Sequence, residues 1–429
     1  MDLINLKAKI KEFLRRIERY TKTDMVYFVR NGFWSLLNQV IGSASSAIVT
    51  IMLANMLSKE YFGQYRFVLS IISILVVFIL PGINTAVMRS VARGNKVDLP
   101  KAVKIEICWG VLGSAIALCI AAYYFWNNDF ILSFALILTA LFLPFLEPFS
   151  IYSAYYKGKQ NFRTATIYES GSRLFQAAAL ILVAFITKDI LAIIGAFFVS
   201  QIISRLFFYV KTLKDEKFEV SGGNIDKKQF DETIKYGKML TTTQLSDAIV
   251  GNIDKLIVWY FLGAEILAIY YIALTIPNNI ILIFNIIPRI AFPRFSKNIW
   301  EAHERARIMY KLFIFFAALV IPTLLYFLLA PLVIPFIFKD YGASIPAAII
   351  LSFLIFISPL NALINQIFQA RKLLKNMFFL QTIAFITFII VFFIMYRKIG
   401  ANPIDAAIAL TISEAISLFA GIWLIRRWV

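Results

Sequence analysis

"TTTQLSDAIVGNIDKLIVWYFLG", residues 241–263, has the length and the apolar second half of a membrane-crossing helix, yet it contains Asp247, Asp254 and Lys255. A charge at the bilayer centre costs about 3 kcal/mol on insertion scales. Such groups therefore either line a wet passage or pair with another helix. At 1.5 Å of rise per residue, Asp254 lies roughly 13 Å below Gly263, near the midplane. Asp247 falls on almost the same helical face, roughly 10 Å nearer the opposite surface. Lys255 is turned about 100° from Asp254, so it is not expected to be its partner within the helix.

The rest of the chain places this stretch in a membrane. Of 429 residues, 60% are hydrophobic and only 16% charged, with a mean hydropathy of +0.77. Twelve apolar segments are long enough to span a bilayer: 27–53, 64–90, 102–126, 130–156, 163–187, 189–212, 231–261, 265–291, 307–338, 342–370, 375–396 and 403–427. In the ninth, Pro322, Pro331 and Pro335 predict a kink or an early end. The expected class is an all-α integral membrane protein with about twelve transmembrane helices.

The net charge of +18 is distributed over alternate loops. Arg89, Arg93, Lys96, Lys101 and Lys104 occupy one, Lys157, Lys159 and Arg163 the next, and Lys211 to Lys238 another, whereas the loops between carry almost none. This is the positive-inside pattern, not a nucleic-acid groove, and it places both termini in the cytoplasm. The first residues, with Leu3, Leu6, Ile10 and Ile17 at helical spacing among lysines and arginines, read as an amphipathic segment on the inner leaflet. Cys108 and Cys119 lie roughly 16 Å apart along one helix, too far to bridge. A single histidine, His303, leaves no histidine-based metal site, and no phosphate-binding G-x-x-x-x-G-K-[ST] loop occurs. No cofactor is expected.

"KTLKDEKFEVSGGNIDKKQFDE" (211–232) is the longest polar interruption. It divides the chain into a cytoplasmic amphipathic segment (1–26), a six-helix bundle (27–213), a linker (214–230) and a second six-helix bundle (231–429). Sliding residues 30–89 forward by 205 positions gives ten identities, clearest at "LSKEYFGQYRFVLSI" (57–71) against "LGAEILAIYYIALTI" (262–276). Two parallel repeats, related by a pseudo-two-fold along the membrane normal, are expected. In this alignment Asp247, Asp254 and Lys255 face Gly42, Val49 and Thr50. The first repeat builds the same helix without the charges, which points to a task performed by the second.

Other membrane-embedded charges carry expectations too. Glu147 sits between Pro144 and Pro148, where a kink frees carbonyls. Glu169 and Arg173 are spaced for an intrahelical pair. Arg30, Arg89 and Arg205 lie near inner helix ends and Arg66 near an outer one, all placed to snorkel. Glu414 has no evident partner.

"FLGAEILAIYYIALTIP" (261–277), "MLSKEYFGQYRFVLSI" (56–71), "GINTAVMRSVARGNK" (82–96), "NIDKLIVWYFLG" (252–263) and "QIFQARKLLKN" (366–376) together resemble the polysaccharide and oligosaccharide (O-antigen type) flippases of the MOP exporter superfamily. The resemblance implies a MATE-like fold, a V-shaped pair of six-helix bundles around a central cavity. The implied activity moves a polyprenyl-pyrophosphate-linked oligosaccharide from the inner to the outer leaflet of a bacterial cell membrane. Arg30, Arg89 and Lys255 would attract the pyrophosphate, and Gln39 and Gln244 would face the same cavity. Asp247, Asp254 and Glu147 are the candidates for a coupling ion, a proton or sodium. Expected partners are the lipid-linked oligosaccharide, the bilayer, and a polysaccharide polymerase with its chain-length regulator. The competing readings are a multidrug exporter of the same fold, a peptidoglycan-precursor flippase, an uncoupled scramblase, and a membrane polymerase or glycosyltransferase. The last is disfavoured because every outer loop is short.

Overall fold

A computed structural model describes residues 25–216, 227–285, 302–370, 373–400 and 402–428. The expected amphipathic segment and most of the 214–230 linker lie outside these residues. The described chain is built of sixteen α-helices and short 3-10 turns, with no strand. Eleven helices are long and apolar enough to cross a membrane, and large side chains such as Trp126, Leu328, Phe336 and Phe419 stand exposed along them, as a hydrocarbon solvent permits. The twelfth expected segment, 231–261, is broken into two helices.

The chain divides into two compact units. One holds the described residues up to Val49 together with Leu75–Gln244; the other holds Thr50–Ile74 and Leu245–Val429. This partition differs from the expected boundary at 214–230: its three cuts, at 49/50, 74/75 and 244/245, all fall inside helices.

The first unit contains the N-terminal part of α1 (Met25–Met56), then α3 (Gly82–Ala92), α4 (Leu99–Trp126), α5 (Phe130–Leu146), α6 (Ile151–Gly158), α7 (Phe162–Ile186), α8 (Ile190–Asp215) and most of α9 (Lys227–Val250). Local chemistry sets the helix starts. Asp98 accepts from the Lys101 N–H at 2.9 Å, Asp129 from Leu132 at 3.1 Å, Asn161 from Thr164 at 3.2 Å and Asp189 from Leu191 at 3.0 Å. Each such cap stabilises its helix by about 1 kcal/mol. The expected second segment breaks where Pro81 bars its predecessor from helical geometry. Leu80 adopts φ 62°, the left-handed region. The expected fourth segment breaks at Glu147, where Pro148 opens a 3-10 turn. α3 and α6 enclose a core of Ile83, Val87, Tyr152, Tyr156, Tyr168 and Ile234. α3 approaches α9 backbone to backbone: a Cβ on Gly237 would come within 2.8 Å of Ile83 Cα, and the Gly82 N–H donates to Thr241 Oγ1 at 3.1 Å.

The second unit contains the C-terminal end of α1, α2 (Lys59–Leu75), α10 (Ile253–Leu262), α11 (Ala264–Phe284), α12 (Ala302–Ile337), α13 (Ile345–Leu351), α14 (Phe353–Ala370), α15 (Leu374–Ile399) and α16 (Pro403–Trp428). α12 runs through all three prolines, so of the two expected outcomes, a kink or an early end, the early end is overturned. Ending a helix in hydrocarbon would expose several unpaired backbone groups, whereas a proline removes one donor. Beside Pro322, the Thr323 hydroxyl donates to the Leu319 carbonyl at 2.8 Å. Leu360, Ile364 and Phe368 of α14 pack with Leu418 and Leu424 of α16.

The two repeat hairpins meet within this second unit. Arg66 and Tyr271 are 205 residues apart, the offset of the internal alignment, and touch directly. Phe67 stacks on Trp259 with ring centroids 4.3 Å apart. Gly63 lies against the Ala264 carbonyl, leaving no room for a Cβ.

Candidate functional site

α9 ends at Val250, and α10 restarts at Ile253. Asp254 and Lys255 therefore occupy the first turn of a new helix instead of a helix interior, and this overturns the expectation that they cannot pair. At the break the Lys255 N–H turns to the Asn252 carbonyl (3.1 Å), which leaves the Gly251 carbonyl open. The Lys255 side chain curls back to donate to it at 2.7 Å, and on the way its ammonium lies 3.2 Å from Asp254 Oδ1. The Tyr270 hydroxyl donates to Asp254 Oδ2 at 2.9 Å. Asp254 is only 4% exposed, and the helix N-terminus further favours its charge. Asp247, on α9, is exposed and accepts from Gln381 Nε2 at 2.6 Å.

Arg66 does not snorkel outward; it is 6% exposed. One guanidinium nitrogen donates to Thr50 Oγ1 at 2.6 Å and the other to the Tyr271 hydroxyl at 2.9 Å. The cation lies 4.0 Å from the centroid of the Tyr271 ring and 4.9 Å from that of Phe62. Aromatic faces stand in for a carboxylate counter-ion, and no acidic group among the described residues forms an ion pair with it.

A polar cavity of about 280 Å³ opens in the first unit between α3, α6 and α7. Glu169 lines it, and its partner is not the expected Arg173. Glu169 Oε1 accepts from the Lys157 ammonium at 2.7 Å and from the Ser153 hydroxyl, and Oε2 from the Asn38 amide. Arg173 donates instead to the Asn38 carbonyl at 3.2 Å. A lysine one helix away reaches the carboxylate because α6 and α7 pack side by side. Glu147 forms an ion pair with Arg205 at 2.8 Å, and Arg205 also donates to the Leu146 carbonyl freed by the α5 break (2.5 Å). Glu414 has a partner too: Asn361 donates to its carboxylate at 2.6 Å.

The remaining candidates are scattered. Arg89 is exposed in the last turn of α3, with its guanidinium over Tyr236 at 4.6 Å. Gln39 is half-buried on α1, and Gln244 Oε1 is buried without a hydrogen-bond partner. Arg30 lies on α1, its side chain outside what is described. Cys108 and Cys119 are free and exposed. The sequence reading also missed the cavity, whose groups Asn84, Ser150, Ser153 and Lys157 carry no motif.

The fold is that of membrane transport proteins of the MOP superfamily. A lipid II flippase MurJ in an inward closed conformation superposes with a TM-score of 0.66 at 16% identity, over 93% of this chain and 87% of that one. An outward-facing multidrug resistance MATE family transporter gives 0.60 at 14%, over 94% and 95%. Residues 28–299 match the family described as polysaccharide biosynthesis protein, and the chain belongs to that family. A Shigella flexneri protein described as "Putative O-antigen transporter" is 23% identical over 321 residues, 69% of this chain and 73% of that protein. The chain is accordingly a multi-pass membrane protein of that family on this fold.

Proposed function

We propose that this chain is a flippase that carries a polyprenyl-pyrophosphate-linked oligosaccharide repeat unit from the inner to the outer leaflet of a bacterial cell membrane. The observation that carries the reading is membership of the polysaccharide biosynthesis family on a transporter fold. The multidrug-exporter alternative rests on the fold alone. The exposed Arg89 guanidinium and Arg30 would draw the pyrophosphate to the inner opening by charge-assisted hydrogen bonds. The two six-helix halves would rock to alternate access, with both termini cytoplasmic. A polymerase and chain-length regulator would act on the delivered unit.

For coupling to a proton or sodium gradient, Asp247 is the first choice. Asp254 and Glu147 are already held in ion pairs, whereas Asp247 has only the Gln381 amide among the described residues. Deleting the gene should abolish surface polysaccharide and leave lipid-linked repeat units in the inner leaflet. Complementation with Asp247→Asn should restore less export and blunt its dependence on the ion gradient. Normal surface polysaccharide in the deletion strain, with lost drug tolerance, would replace the reading with the exporter.

A further inference from the structure

We infer that the cavity between α3, α6 and α7 is a subsite for one neutral sugar ring, distinct from any site that takes the pyrophosphate. The inference rests on the transport reading above. At about 280 Å³ the space falls at the small end of ligand pockets, which run from roughly 300 Å³ upward. It would hold about nine waters, and it suits one pyranose, not an oligosaccharide.

The lining selects charge and polarity. The only lining cation, Lys157, is bound to Glu169 at 2.7 Å. An entering phosphate would meet a carboxylate whose lysine is already engaged, and an entering cation would meet the ammonium. Neutral ligands are favoured on both counts. Among these, polar ones win. Asn84 Oδ1 is buried in this wall with no hydrogen-bond partner among the described residues, and its amide nitrogen makes a long, 3.4 Å contact to Ser150 Oγ. An apolar occupant would leave that acceptor orphaned at a cost of about 1–3 kcal/mol. A sugar hydroxyl donates to Asn84 Oδ1 and accepts from Lys157 or Ser150, which is the dual capacity this wall calls for. Met88 and Ala154 supply an apolar edge for the C–H face of the ring.

Thr85 lines the cavity and is exposed, so Thr85→Cys reports on occupancy. The background is Cys108→Ala/Cys119→Ala, which removes the exposed native thiols, and Met88→Cys serves as a second reporter should the first fail to fold. The full chain in lipid nanodiscs is alkylated with a polar maleimide in the presence of neutral hexoses, N-acetylhexosamines, mannitol or sodium pyrophosphate. At least one ring sugar should slow labelling about five-fold once present at several times its Kd. Asn84→Ala should remove that protection, read as the ratio of labelling rates with and without sugar in the same variant. Protection by pyrophosphate in place of sugar, protection by mannitol alike, or no protection by any sugar each overturns the subsite. Export of surface polysaccharide, followed in cells, separates the two levels. Intact dependence of export on the gene with sugar-insensitive labelling removes the subsite only. Loss of that dependence removes the transport reading itself.

Discussion

Arg66→Ala tests whether an aromatic cage, not a carboxylate, balances the buried cation of the second unit. Two hydrogen bonds from a charged donor, at 2.6 Å to Thr50 and 2.9 Å to Tyr271, contribute about 1.5–3 kcal/mol each. The desolvated cation–π contact at 4.0 Å adds about 2 kcal/mol. Against this stands the desolvation of the guanidinium, several kcal/mol, which the truncation relieves. The expected net loss is about 2–4 kcal/mol. A cycle of Arg66→Ala with Tyr271→Leu isolates the ring and its hydroxyl, and their coupling should be about 2 kcal/mol. Arg66→Lys should fall between wild type and alanine, because an ammonium cannot fork to both hydroxyls. The assay is reversible unfolding in mixed micelles, read from the fluorescence of Trp259, which stacks on neighbouring Phe67. A coupling energy below about 0.5 kcal/mol would show that Arg66 is indifferent to Tyr271 and would refute the cage.

Gly63→Val should destabilise the protein by about 1–3 kcal/mol, measured in the same way, because any Cβ there meets the Ala264 carbonyl, which is backbone and cannot rotate aside. Glu169→Gln removes the counter-charge of Lys157 and one acceptor shared with Ser153; a loss of about 1–3 kcal/mol and faster labelling at Thr85→Cys are expected. Outside the membrane spans, burial disfavours the Lys159 ammonium, but the Glu216 carboxylate and Tyr155 hydroxyl outweigh it and raise its pKa. A raised pKa means the contribution is complete below the ordinary lysine range and fades as pH rises through the folded-state value. Amide exchange at the start of α7 should therefore increase selectively in strong alkali, and Glu216→Gln should abolish the selectivity.

Much of the architecture was legible in the chain because hydrocarbon leaves few choices: eleven of twelve expected crossings appear as candidate spans. Pro144 and Pro148 marked the break at Glu147, whereas the one at Pro81, where Leu80 turns left-handed, went unread. In α12, where a kink or an early end was expected, the helix does not end at its prolines, because the cost of opening a helix in lipid exceeds that of one missing donor. The site was less legible because side-chain partners are chosen in three dimensions. Glu169 had an arginine at helical spacing but found Lys157 on the next helix. Asp254 and Lys255 were read on an unbroken helix, although Gly251 and Asn252 stand between them and the charged residue before. The burial of Arg66 had a signal that went unread: its position plus the repeat offset is Tyr271.

That last contact has a consequence for substitution. Where aligned positions of the two stretches touch, each is part of the other's surroundings, so a change in one is felt by the other. The two stretches that align best, 57–71 and 262–276, press on one another, with Gly63 held against the Ala264 carbonyl.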